Sequence, residues 1–133
     1  MALTTLLGNQ IAGTLFASAP LQLLSLQVAL LKSVPDSSGS GIEVSGGSYA
    51  HAQCSPGSHW NIGTNADGKV EVSNLVPISF PSPTNDWGVI AGALLLDSVG
   101  NPLVLITLSQ PVSVDEGDNQ PAFAAGTLTF IFE

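Results

Sequence analysis

Apolar residues at the start of the chain recur at spacings of three and four: Leu3, Leu6, Leu7, Ile11 and Leu15. That spacing lines them up on one stripe of a helix and predicts a helical N-terminal arm over residues 1–18. Gly8 and Gly13 interrupt it, each at a cost of about 1 kcal/mol relative to Ala. The arm is therefore expected to need tertiary or intersubunit packing, with Pro20 marking its end. Beyond Pro20 the period falls to two. Leu24, Leu26, Val28 and Leu30 alternate with Ser25, Gln27 and Ala29, the pattern of a strand with one face turned inward.

The rest of the chain reads as short strands between turn formers. Residues 34–41 form a loop. Residues 42–50 are strand-like, but the Gly46-Gly47 pair calls for a bulge or a sharp bend. Residues 54–68, with Pro56, Gly57, Gly63 and Gly68, make the least regular stretch. Short strands follow at 69–72 and 75–80, the second confined by Pro77 to an edge or a bulge. A stiff, turn-rich loop covers 81–87. Residues 89–96 are apolar on both faces, as in a strand held between two layers or under a partner subunit. A turn at 97–101 leads into a returning strand at 103–108, then a short strand at 111–114 and a turn at 115–118. At the end, Leu128, Phe130 and Phe132 alternate with Thr127, Thr129 and Ile131. The whole predicts one domain over 1–133: all-β, with an antiparallel β-sandwich or jelly-roll-like barrel of about eight strands over 21–133 and a short N-terminal helix.

Charge changes the picture more than hydropathy does. The hydrophobic fraction of 44% and mean hydropathy of +0.39 are those of a folded chain. Only 9% of the residues are charged, against roughly a quarter in ordinary soluble domains. Ser, Thr, Asn, Gln and Gly stand where charges would be expected. Such a surface suits contact with other proteins, because uncharged polar groups cost less to desolvate than ions. With Lys32 and Lys69 as the only basic side chains and a net charge of −8, neither nucleic acid nor an anionic membrane is an expected partner. The apolar window 15–31 contains Pro20, Gln22, Ser25 and Gln27 and is too short to span a bilayer. Met1-Ala2-Leu3-Thr4 lacks the positive charge that opens a secretory signal. Cys54 is the single cysteine, so packing and not a disulfide must hold the fold.

Candidate chemistry is sparse. His51, Cys54 and His59 are the one soft-ligand cluster, one ligand short of a tetrahedral zinc site. Asp115, Glu116 and Asp118 could gather calcium with Asp97, but without the spacing of an EF-hand loop. Gly46-Gly47-Ser48 is neither a nucleophile elbow nor a phosphate loop. No catalytic residue, cofactor or metal is expected. Trp60 and Trp87 are large aromatics with polar handles. Trp60 reads equally as an interface anchor or a core residue, whereas Trp87 reads as a lock on its loop. Tyr49, beside two glycines, is expected to pack on the sheet with its hydroxyl bonded at the edge.

Three stretches carry a resemblance: 43–50 (Glu-Val-Ser-Gly-Gly-Ser-Tyr-Ala), 80–88 (Phe-Pro-Ser-Pro-Thr-Asn-Asp-Trp-Gly), and the later Gly117-Asp118, Phe123 and 126–129. The chain resembles a family of small virion proteins of tailed phages, often labelled tail-fibre proteins and similar to capsid cement (decoration) proteins. Gly46, Gly47, Tyr49, Pro81, Trp87 and Gly88 are the structural positions of those motifs. His51, where the family favours a basic residue, and the uncharged opening helix depart from its pattern. Together with the low-charge surface, the resemblance implies a non-enzymatic capsid cement protein on the outer head surface. It would be a homotrimer bridging major capsid protein subunits, with Leu3, Leu6, Leu7, Ile11, Leu15 and Trp60 as interface candidates. The alternative is a tail-fibre, tail-tip or adaptor subunit in contact with host glycans. A small secreted or periplasmic hydrolase is the rival from another class, and the lack of motif and signal counts against it.

Overall fold

The computed structural model describes residues 2–18, 25–34, 36, 41–54 and 57–131. Among them lie strands β1 (Ala2–Leu3), β2 (Gln27–Leu31), β3 (Ala52–Gln53), β4 (Trp60–Thr64), β5 (Val70–Asn74), β6 (Ile78–Ser79), β7 (Gly88–Leu96), β8 (Pro102–Val114), β9 (Ala122–Phe123) and β10 (Thr129–Ile131). One helix, α1 (Thr5–Phe16), follows β1. The strands form a five-stranded sheet ordered β1-β8-β7-β2-β3, a three-stranded sheet β10-β5-β4, and the pair β6-β9. Every pairing is antiparallel. The fold is all-β with one short N-terminal helix, as the pattern predicts.

At its centre, where Val28–Leu31, Ala93–Leu96 and Leu103–Ile106 lie side by side, the five-stranded sheet is buried on both faces, which explains the unbroken apolar run in β7. Cross-strand rows Val28–Leu95–Val104 and Leu30–Ala93–Ile106 face the main core. The row Ala29–Leu94–Leu105 between them faces a second, smaller cluster with Leu31 and Leu96. Ile90 shares the main core with Ala93 and Leu95, a change from even to odd positions that strict alternation forbids. The cause is a bulge. β7 advances from Ile90 to Gly92 while its partner advances from Val112 to Thr107, and Pro111, which has no N–H for a ladder, falls in the slack. The strands expected at 103–108 and 111–114 are thus one strand, β8, with this irregularity inside it.

The helix begins later than periodicity alone suggests. Thr4 caps it: its Oγ1 accepts from Leu7 N (3.2 Å) and donates to Pro102 O (2.8 Å), while Thr4 N donates to Leu103 O (2.9 Å). Residues 2–3, within the expected helical arm, instead pair as β1 with Val104 and Leu105. The β8 edge offers ladder bonds that a fraying first turn cannot match. Leu7 is buried in the main core and Ile11 packs against it. Leu6, Leu15 and Phe16 are exposed, Phe16 at 87%. Leu24, Pro20 and Phe132 lie outside the described residues, as does most of the loop 34–41.

Two further expectations are corrected. The irregular stretch 54–68 contains β4, and it forms a hairpin with β5 around Asn65, whose Oδ1 accepts from Asp67 N and Lys69 N (both 3.0 Å). The strand expected at 75–80 shrinks to Ile78–Ser79, consistent with Pro77 just before it.

Candidate interaction surface

The motifs at 43–50 and 80–88 meet in space. Gly46, Gly47 and Ser48 all have positive φ (75°, 56° and 65°), which turns the chain back sharply, and Tyr49 N closes the turn on Gly46 O (2.9 Å). The Gly47 carbonyl accepts two bonds from the other motif, from Trp87 Nε1 and from Thr84 N (both 3.0 Å). A Cβ on Gly47 would stand 2.8 Å from Trp87 Nε1; only glycine fits there. Trp87 is fully buried, and its ring meets Tyr49 edge-on at 5.3 Å. Its own N donates to Val114 O (2.8 Å). The acidic turn joins the same assembly, with Glu116 N on Asp86 Oδ1 (2.8 Å) and Gly117 N on Pro83 O (3.4 Å). Pro81 is half-buried in this loop, and Gly88 (φ 89°) leads from it into β7 beside the Lys32 stem.

Tyr49 also repairs a gap in the ladder. The outer edge of β2 pairs with residues 42–44 at one end (Lys32 N on Ile42 O, 2.7 Å; Val44 N on Leu30 O, 3.1 Å) and with β3 at the other. Between them the chain leaves for the glycine turn, and Leu30 N donates to the Tyr49 hydroxyl instead (2.9 Å). That hydroxyl donates in turn to Glu43 Oε1 (2.9 Å). Burial pushes the Tyr49 phenol well above its usual range; the bond from Leu30 opposes that shift, and the neighbouring Glu43 adds to it.

The metal candidates go to separate uses. Cys54 is fully buried in the main core, and burial pushes its thiol up to about 12. His51 bridges Glu43 and Gln27, the latter at 2.9 Å, and His59 lies by Ser58 (3.3 Å). Asp97 spends both carboxylate oxygens on its own turn, accepting from Val99 N, Asn101 N and Asn101 Nδ2, while Asp118 Oδ2 accepts from Asp115 N (2.8 Å). Among the described residues no group of three His, Cys, Asp or Glu side chains could hold a metal ion. No helix there is long and apolar enough to cross a membrane.

Sequence reasoning missed Asn74. It is buried, its Nδ2 donates to Val76 O (2.9 Å) and Ala124 O (3.0 Å), and its Oδ1 accepts from Leu128 N (2.9 Å). It ties β5 to the segment that leads into β10. An Asn at the end of a Val-Glu-Val-Ser run was the available signal.

What remains for partners is the exposed apolar surface. Of the interface candidates, Leu7 is enclosed in the chain's own core, Leu3 lies in β1, Ile11 is half-buried, and Leu6 and Leu15 are open. Trp60 is half-buried, tilted on Phe130 with ring centres 5.7 Å apart, and its indole N–H has no acceptor among the described residues. Next to Trp60, along β4, Asn61, Ile62, Gly63 and Thr64 are all exposed.

The one thiol is sealed in the core, and Leu15, Phe16 and Ile62 are among the apolar side chains left open for contact. Comparison with family models places the chain: the model described as podophage GP4 fiber I protein gp80 matches residues 2–131. The chain belongs to the Gp80 family. A search of curated proteins finds no match. Membership in the Gp80 family makes this a phage virion structural protein. The match spans the clasp around Trp87, both large strands and the β4–β5 hairpin, so the whole described fold belongs to the family.

Proposed function

We propose that this Gp80-family chain is a fibre subunit of a phage particle and that it works by adhesion, without catalysis. The observation that carries the reading is the family match over 2–131. The physical properties agree with it: few ions to desolvate, a net charge of −8 that disfavours contact with packaged DNA, and exposed apolar side chains at Ile62 on β4 and at Leu15 and Phe16 at the end of α1. Its partners would be further copies of itself and neighbouring virion proteins. Labelled imaging of purified particles tests this: density at fibres, with a few to a few dozen copies per particle, is the expected result.

The capsid cement reading, with the chain on the outer head surface against the major capsid protein, rests on the low-charge surface. It calls for hundreds of copies spread over the head, and for particles lacking the chain to fail earlier on heating. Adhesion in either place would come from apolar burial, about 25 cal/mol per Å² before entropy costs.

A further inference from the structure

Across the three-stranded sheet, one cross-strand row runs Phe130–Val72–Ile62. Burial falls along it: Phe130 is buried, Val72 half-buried and Ile62 74% exposed. Ile62 lies on β4, the outer strand, and among the described residues nothing pairs with its far edge. Asn65 N donates to Lys69 O (2.9 Å) and Leu75 N to His59 O (2.8 Å). These bonds turn the odd-numbered backbone groups toward β5, so by alternation the N–H and C=O of Ile62 and Thr64 point outward. Natural edges are blunted by Lys, Pro, inward charges or bulges. β4 reads Trp-Asn-Ile-Gly-Thr and pairs with β5 in unbroken register, so it has none of these devices.

We propose that β4 is where two copies of this chain join, edge to edge and antiparallel about Ile62. The proposal rests on the reading of the chain as a virion subunit that packs against its own kind. Charge selects the occupant. Two copies at −8 each repel wherever carboxylates meet, and β4 has no carboxylate; a basic partner would be drawn to the acidic turns instead. Register supports the same choice. A two-fold axis at Ile62 lets its N–H and C=O bond reciprocally to those of the other Ile62, and each Thr64 N–H reach the opposite Trp60 C=O. The apolar row then continues through Ile62 into the second copy's Val72 and Phe130, and the exposed end of one core row closes on its equivalent. The contact is isologous, so it builds pairs where the family resemblance implies trimers.

The test uses the purified full-length chain. Wild type is expected to sediment at twice 13.5 kDa, and Ile62→Lys, which sets two ammonium groups against each other on the axis, at the single mass. Should Ile62→Lys lose its circular dichroism, Thr64→Lys serves in its place. Directly opposed residues of a hydrogen-bonded pair have Cα atoms about 5.5 Å apart, within disulfide reach. Ile62→Cys is therefore expected to cross-link under mild oxidation, and Val99→Cys, 79% exposed on a distant turn, is not. A single or tripled mass for wild type, a doubled mass retained by Ile62→Lys, or equal cross-linking by the two cysteine variants overturns the pairing. So does a single-mass wild type whose Ile62→Lys variant fails to enter particles, because another virion protein would then be the occupant. Particle imaging tests the fibre reading independently: pairing can hold while that reading falls, and the reverse.

Discussion

The loops around Trp87 and the β4–β5 hairpin invert the usual relation between regularity and burial. The clasp is irregular backbone, with three successive positive φ angles at 46–48, yet it surrounds a fully buried indole and satisfies its turns with specific bonds. The hairpin is regular ladder, yet four of the five β4 residues are exposed. The contrast shows that hydrogen-bonded regularity and packing are separate sources of stability. A strand can be well formed locally and still leave its apolar side chain for a partner to cover. Turns built on Gly and Asn can be the stiffest part of a fold once an aromatic fills the space between them.

Substitutions that break the comparison should rank accordingly. Trp87→Ala removes the plug and the donor to Gly47 and is expected to cost about 3–5 kcal/mol of unfolding free energy, measured by denaturant titration; a loss below about 1 kcal/mol would mean that the clasp is not a stability centre. Asn74→Ala strands the buried N–H of Leu128 and removes the donor to the carbonyls of Val76 and Ala124, for about 1–3 kcal/mol. Gly47→Ala forces a Cβ against Trp87 at a positive φ, at a cost of about 1–3 kcal/mol, and tryptophan fluorescence should report the displaced indole.

Tyr49→Phe leaves Leu30 N–H without its acceptor, for about 1 kcal/mol at neutral pH. The same variant sharpens the pH dependence. The folded phenol is held above its ordinary 10.0, so its share of stability is complete below about pH 10 and is lost as the pH rises further, because only the unfolded phenol ionises readily. Cys54, held at about 12 against an ordinary 9.0, adds a slope of the same sign from about pH 9. Melting temperatures between pH 8 and 11 should therefore decline, and decline less steeply in Tyr49→Phe. At the small end, Ile62→Thr is expected to change the stability of the folded chain by less than about 0.5 kcal/mol. A larger loss measured at a dilution that separates copies would show that the hairpin edge belongs to the chain's own core.

How much of this was legible in sequence depended on the range of the interaction. The helical stripe, the period-two strands and the both-face apolar run at 89–96 are local patterns, and each lies close to where it was expected. The 54–68 stretch hid β4 behind Pro56 and the glycines at 57, 63 and 68, and the Asn-Ala-Asp-Gly turn at 65–68 was the overlooked sign of a hairpin. Ala2–Leu3 left the helix for β8 because a free ladder edge far along the chain outbid one more frayed turn.

By itself, then, the sequence determined an all-β chain with a helical start, a composition poor in charge, and a sharp bend at the Gly46-Gly47 pair. Tertiary structure alone decided that the turn at 46–48 closes on Trp87, that Asn74 stitches β5 to the approach to β10, and that the outer edge of β4 has no strand beside it among the described residues. Periodicity and backbone preference act between residues a few positions apart and are written in order along the chain. A carbonyl at Gly47 meeting an indole at Trp87, or an edge left without a neighbour, depends on which distant segments the packing brings together.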